Sequence, residues 1–195
     1  NDMAATLAKV KATNPDVLTV SGHSKGALTA IRQISEMQVD VPMLAMTHCD
    51  ASKLAKQHGK KAEYALCAAQ WHKSLSYKDK YFGNGMKYDK DFNAEYGYTP
   101  PYQAAESSAA LLVWKDAFER ANSTDTEKVR DALAKTDMQT FYGNIKFGSG
   151  GQNTAKPMVL FQVRCEGDKC ENKVVAPTKW ASAKLVHPVP KWSER

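Results

Sequence analysis

The sequence lacks long apolar runs, internal repeats and low-complexity segments. No stretch of about 18 or more apolar residues occurs among its 195 residues, so no membrane-spanning helix is expected. Residues 1–10 lack the basic and apolar regions of a signal peptide, so we expect that a signal has been removed or that an N-terminal part is missing. With 43% hydrophobic residues, the chain can bury one sizeable core or two small ones.

The chain also lacks a concentrated basic patch. Its net charge is +6, from 27 Lys and Arg against 21 Asp and Glu, but the lysines are spread singly along the sequence. This pattern is typical of a solvated surface with a mild attraction for anions, so no nucleic-acid partner is expected.

Cysteine is scarce, with four residues. Cys165 ends an apolar strand and Cys170 opens another, so the two should face each other across a hairpin at a separation that a disulfide accepts. We predict that disulfide, and with it an oxidising compartment. No second Cys pair or His pair completes a zinc site. Cys49 and Cys67, near the ends of two predicted strands, are either a second pair or two buried thiols, and the thiols are favoured.

The first 70 residues alternate between helix and strand. This alternation predicts an α/β fold with a parallel sheet and right-handed crossovers. The predicted elements are helices over 2–12, 27–37 and 51–57 and strands over 17–20, 40–46 and 64–69.

The pattern changes after residue 70. Residues 71–86 show no clear period and predict a long surface or cleft-lining loop, followed by a helix over 87–96. A helix over 101–121 is apolar on well over half its circumference, which indicates packing on two sides. A capping box at 124–127 predicts a further helix to about residue 135, and residues 180–195 should be irregular.

Ser24 lies in a G-x-S-x-G sequence between an apolar strand and a helix, which is the pattern of the nucleophile elbow in α/β-hydrolases. Such an enzyme also needs an acid and a histidine base, and Asp50 with His72 or His187 satisfies the required chain order. However, His72 comes too early, His187 lies among prolines, and the 16 residues before the strand do not contain an oxyanion-hole loop. A serine hydrolase using Ser24 is therefore kept as the alternative function.

Ligands of open α/β sheets bind outside the carboxyl ends of the strands. Free N–H groups at the start of the second helix, with the Ser24 hydroxyl, can donate to a ligand carboxylate, and the Trp71 ring can cover an apolar group. No histidine pair has metal-site spacing, and no metal or cofactor is expected. The candidate ligand-binding residues are His23, Ser24, Thr47, His48, Trp71 and His72.

The second half carries an ordered series of features. They are Phe92, Tyr96 and Gly97 before Pro100, the alanine-rich helix with Ala104, Ala109 and Ala117, residues 129–133, 140–143 and 145–147, Gly151 to Asn153, and Gln162 with Val163. This series resembles the C-terminal portion of type I periplasmic solute-binding proteins of the branched-chain amino-acid transporter family. Residues 1–70 are similar to the second lobe of the same family.

The resemblance implies two Rossmann-like lobes with parallel central sheets, of which most of the first lobe is missing here. Residues 1–85 would belong to the second lobe, 86–155 would complete the first, and 156–195 would return to the second with the disulfide hairpin and the tail. The sheet that covers the long apolar helix would then lie in the missing N-terminal portion. We therefore expect the chain alone to be poorly stable or associated with another polypeptide.

The resemblance also implies a function. The protein would be the periplasmic, or lipid-anchored extracytoplasmic, substrate-binding component of an ABC uptake transporter, with no enzymatic activity. It would bind a small amino acid, or an aromatic or aliphatic carboxylate, between two lobes by hinge closure and present it to a membrane permease. A receptor or regulatory domain that reuses the same fold is a third interpretation.

Overall fold

The computed structural model describes residues 2–49 and 57–195. The chain divides into two compact units, one of residues 1–69 with 159–195 and one of residues 70–158. The predicted helix over 51–57 and the candidate acid Asp50 lie outside the described residues, apart from Gln57.

The helices are α1 (Ala4–Thr13), α2 (Ser24–Glu36), α3 (Gly85–Tyr96), α4 (Tyr102–Ala121) and α5 (Thr126–Ala134). The strands are β1 (Val17–Val20), β2 (Met43–Met46), β3 (Leu66–Ala69), β4 (Lys78–Asp79), β5 (Gly83–Asn84), β6 (Asp137–Thr140), β7 (Gly143–Lys146), β8 (Val159–Glu166) and β9 (Lys169–Ala176).

The first unit is built on a five-stranded sheet in the order β1, β2, β3, β8, β9. The first three strands pair in parallel, and β8 and β9 continue the sheet antiparallel to them. The predicted α/β fold with a parallel sheet is thus confirmed. Because β1, β2 and β3 run in parallel, their carboxyl ends meet at one edge of the sheet.

Helix α2 buries a clear apolar face within this unit. Ala30, Ile31 and Ile34 are fully or almost fully buried, while Arg32 and Glu36 on the other face form an exposed ion pair. The spacing of the buried residues is that of an amphipathic helix. The helix starts three residues before the predicted position, because His23 takes an extended conformation and Ser24 already has helical geometry.

The hairpin and the tail of the first unit are both held in place, the hairpin by a disulfide and the tail by hydrogen bonds to the segment before β2. Cys165 and Cys170 are opposed in the register of β8 and β9 and form the predicted disulfide, which is confirmed. Residues 180–195 are mostly irregular, as predicted, but they are held by hydrogen bonds. Val189 N donates to Pro42 O at 3.0 Å, and Trp192 Nε1 donates to Val39 O at 3.0 Å.

The second unit has an aromatic core that the sequence did not indicate. Phe141 is fully buried and stacks on Tyr88, with ring centroids 4.3 Å apart, and the Phe82 ring lies 5.0 Å away. The predicted loop over 71–86 is therefore structured in part, since it contributes Trp71 and Phe82 to the cluster and contains the short β4–β5 ribbon. The Asp79 carboxylate fixes this segment by accepting from Phe141 N at 2.6 Å.

Helices α4 and α5 pack against each other through Ala117, Val129 and Ala132. The N-cap of α5 is Asp125, whose side chain accepts from Lys128 N, and not Thr124 as the capping-box pattern predicted. A groove of about 920 Å³ in this unit is lined by residues of both helices, including Val113 and Leu133. Among the described residues, no helix is long and apolar enough to cross a membrane.

Candidate functional site

The junction between β1 and α2 presents backbone donors at the edge of the sheet. After Val20 the chain turns through Ser21 and Gly22, and the His23 carbonyl accepts from Gly26 N at 2.8 Å and from Ala27 N at 3.1 Å. The N–H groups of Ser24 and Lys25 precede these bonds and, as in the first turn of any helix, have no intrahelical acceptor. They carry the partial positive charge of the helix start, which favours an acceptor group on a ligand.

Thr47 joins the ends of β1 and β2. Its backbone N donates to Val20 O at 3.1 Å. Its hydroxyl accepts from Gly22 N at 2.9 Å and donates to Gly22 O at 2.8 Å. One side chain therefore satisfies both backbone groups of Gly22, which fixes the turn that leads into α2.

His48 completes this arrangement. Its Nδ1 lies 2.8 Å from Gly22 O, and because a carbonyl oxygen can only accept, Nδ1 carries the proton. In the neutral ring the other nitrogen, Nε2, is then an acceptor. The rings of His23 and His48 lie with their centroids 4.9 Å apart. Four of the predicted residues, His23, Ser24, Thr47 and His48, are thus brought together around Gly22.

Cys49, the next residue, forms a disulfide with Cys67. The preference for two buried thiols was wrong. In the parallel register of β2 and β3, Met46 pairs with Cys67, so the turn after β2 returns Cys49 to within 5.6 Å of Cys67, measured between Cα atoms. That register could have suggested the pair, because Cys49 follows the end of one strand and Cys67 lies in its neighbour.

The arrangement does not support Ser24 as a nucleophile. Its side chain is half-buried, and within residues 2–49 and 57–195 it makes no hydrogen bond to a histidine or a carboxylate. The serine of a hydrolase needs a base that takes its proton and an acid that orients that base. What the site provides instead is a set of hydrogen-bonding groups around a fixed turn.

Trp71 and His72 lie in the second unit. The Trp71 ring is only 5% exposed, meets Tyr88 edge-on at 5.8 Å between centroids, and donates from Nε1 to Phe141 O at 3.3 Å. His72 Nδ1 lies 2.8 Å from Ser74 Oγ and accepts from Ser74 N. Ligand contact by these two residues stays a prediction.

Sequence reasoning missed one contributor to the site, the carbonyl of Gly22, on which both Thr47 and His48 converge. The disulfide between Cys49 and Cys67 was one of the two alternatives for this pair, but not the favoured one. In the described part of the chain, no group of three or more His, Cys, Asp or Glu side chains is arranged to hold a metal ion.

The chain is similar to known proteins both in sequence and in fold. The profile of a family described as periplasmic binding protein matches residues 1–169. The fold is similar to that of a leucine-binding protein, LivK, from Thermotoga maritima, with a TM-score of 0.75 and 23% identity over 91% of this chain and 49% of that one.

Two further solved structures share the fold. The branched-chain amino acid transporter substrate-binding protein LivJ from Streptococcus pneumoniae, in complex with isoleucine, matches with a TM-score of 0.71 and 19% identity over 90% of this chain and 49% of that one. A solute-binding protein of an ABC transporter from R. palustris, in complex with benzoate, matches with a TM-score of 0.69 and 16% identity over 94% and 50%. The chain spans about half the length of the solved structures that it matches.

Proposed function

The chain belongs to the periplasmic binding protein family, and from that premise we propose that it is part of the extracytoplasmic substrate-binding component of an ABC uptake transporter. The ligand is a small amino acid or an aromatic or aliphatic carboxylate. It is enclosed by hinge closure between the two lobes of the whole protein, and the closed form is recognised by a membrane permease. No chemistry is performed on the ligand.

The observation that carries this proposal is the arrangement around Gly22. Thr47 and His48 lock the turn, and the free N–H groups of Ser24 and Lys25 remain available beside it. A ligand carboxylate at this place would accept from these N–H groups and from the Ser24 hydroxyl, while His23 and His48 flank it. Ser24 therefore binds and does not attack.

The ligand classes follow from the relatives and from the charge at this edge. One relative is a leucine-binding protein, another was solved with isoleucine and a third with benzoate. All three compounds carry a carboxylate, and the start of α2 favours an anion. The two disulfides agree with an oxidising compartment such as the periplasm. Residues 1–85 and 156–195 are assigned to the second lobe and residues 86–155 to the first.

The test is a thermal-shift screen followed by calorimetry on the whole protein with L-leucine, L-isoleucine and benzoate. A compound that binds only the native state raises the melting temperature, and Ser24→Ala should weaken that compound's affinity by about tenfold. Lys9→Ala, on α1, is the control and should leave the affinity unchanged. The proposal fails if no small carboxylate or amino acid shifts the melting temperature and the protein shows ester hydrolysis that Ser24→Ala abolishes.

A further inference from the structure

The disulfide between Cys49 and Cys67 directly follows the candidate site in the chain. We propose that it is a positioning element that holds Thr47 and His48 in the conformation in which both face Gly22. The effect of this disulfide on ligand binding rests on the proposed function. Its effect on the orientation of His48 does not, and can be tested without any ligand.

Cys67 is a rigid anchor for this purpose. It lies within β3, where it pairs with Met46 of β2 on one side and with Phe161 of β8 on the other. Its side chain is fully buried, and that of Cys49 is 2% exposed. The disulfide thus ties the turn after β2 to the inner strand of the sheet and not to another loop.

His48 needs such a restraint. Its φ is +52°, in the left-handed region that a side chain with a Cβ atom rarely adopts. On its amino side, Thr47 is held by hydrogen bonds to Val20 and Gly22. On its carboxyl side, the bond from Cys49 to Cys67 is the covalent restraint. If that bond is removed, the backbone of His48 can relax toward negative φ, and Nδ1 then leaves the Gly22 carbonyl.

The second disulfide provides a matched control within the same unit. In the antiparallel register of β3 and β8, Ala69 pairs with Val159 and Leu66 with Gln162. Cys165 therefore lies beyond the amino end of β3, at the edge of the sheet opposite to Thr47 and His48. Cys165 and Cys170 are both partly exposed and join two strands that are already paired.

The experiment compares the whole wild-type protein with the paired variants Cys49→Ala/Cys67→Ala and Cys165→Ala/Cys170→Ala. Nitrogen-15 NMR of the imidazoles reports which His48 nitrogen carries the proton. We expect a protonated Nδ1 in the wild type and in the Cys165/Cys170 variant. In the Cys49/Cys67 variant we expect the mixture of tautomers of a free imidazole. The affinity for whichever of L-leucine, L-isoleucine and benzoate binds should fall about tenfold in the Cys49/Cys67 variant and less than about twofold in the control.

A folded Cys49/Cys67 variant that keeps the proton of His48 on Nδ1 would overturn the proposal, because the disulfide would then only add stability. If the wild type binds none of the three compounds, the proposed function loses support while the imidazole measurement still decides this proposal. Should the variant not fold, the same spectrum is recorded on wild type reduced with dithiothreitol, which is oxidised to its cyclic disulfide as Cys49 and Cys67 become thiols. An unchanged His48 signal, with alkylation proving both thiols free, would again overturn it.

Discussion

The Thr47 hydroxyl lies between the amide nitrogen and the carbonyl oxygen of Gly22, at 2.9 and 2.8 Å. This single side chain holds the turn that leads into α2, so its loss should loosen the donors at the start of that helix. We expect Thr47→Val, which keeps the shape and removes the hydroxyl, to weaken ligand affinity by about tenfold. Calorimetry with the ligand found by the screen measures the change.

Thr47→Ser is the matched variant, because it retains the hydroxyl and loses only a methyl group. Its affinity should stay within about twofold of the wild type. If the valine and serine variants bind equally well, the two hydrogen bonds to Gly22 do not organise the site.

Gln162 is the buried polar residue that ties the tail to the sheet. Its side chain is fully buried, accepts from Val186 N at 3.0 Å, and donates to Val186 O at 3.1 Å and to Tyr64 O at 3.2 Å. Gln162→Met removes these bonds and leaves partly buried backbone groups of Val186 and Tyr64 without this partner, so it should lower the free energy of unfolding by about 1–3 kcal/mol. Urea denaturation followed by circular dichroism measures this loss.

The control for that variant is Gln38→Met, which makes the same chemical change at an exposed position of the same unit. It should change the free energy of unfolding by less than about 0.5 kcal/mol. A Gln162→Met protein as stable as its control would show that the tail is not held through this side chain.

The parts of the structure that follow a simple period could be predicted from the sequence. Short apolar runs that alternate with amphipathic helices predicted the strand over Val17–Val20 and the parallel sheet, and the structure contains both. The strand-end position of Thr47 and His48 followed from that topology. Their convergence on one carbonyl did not, because it depends on the left-handed conformation of His48, which no local pattern encodes. The aromatic cluster around Phe141 was missed for a related reason, since Phe141 is separated by more than fifty residues from the stretch that supplies Trp71, Phe82 and Tyr88.

Helix α4 exposes three large apolar side chains, with Leu111 at 66%, Trp114 at 47% and Phe118 at 39% of their surfaces. These residues lie three to four positions apart and form one stripe, so the helix is apolar on two sides as predicted. An apolar stripe of this kind favours association. We expect the 195-residue chain by itself to self-associate and the variant Leu111→Gln/Phe118→Gln to be more monomeric in analytical ultracentrifugation.

Glu119→Gln, an exposed substitution on the same helix that leaves the stripe intact, is the control and should behave like the wild type. If the 195-residue chain is monomeric and unfolds cooperatively on heating, the expected self-association is wrong, because the exposed apolar stripe would then be stable in water without a partner.

Lys156 should make the second unit more stable as the pH rises. Its ammonium group donates to Gln70 O and lies 4.5 Å from the centre of the Tyr142 ring. Burial lowers the pKa of Lys156 from 10.5 to about 8, although the nearby Glu106 opposes this shift. Between these two values the unfolded chain keeps a proton that the folded chain has released, so the free energy of unfolding increases with pH.

Because the side chain stays partly exposed, we expect a gain of about 0.5–1 kcal/mol between about pH 8 and about pH 9. Burial raises the pKa of the Tyr142 phenol, so above about pH 9, where this phenol begins to ionise in the unfolded chain only, Tyr142 lowers the stability and opposes the gain. Urea denaturation at several pH values measures the slope. Lys156→Met should remove the pH dependence and stabilise the unit most at the lower end of the range, whereas Lys90→Met, at an exposed position of α3, should keep the wild-type slope. A wild-type stability that is flat or falls over this range would show that Lys156 remains charged in the folded protein.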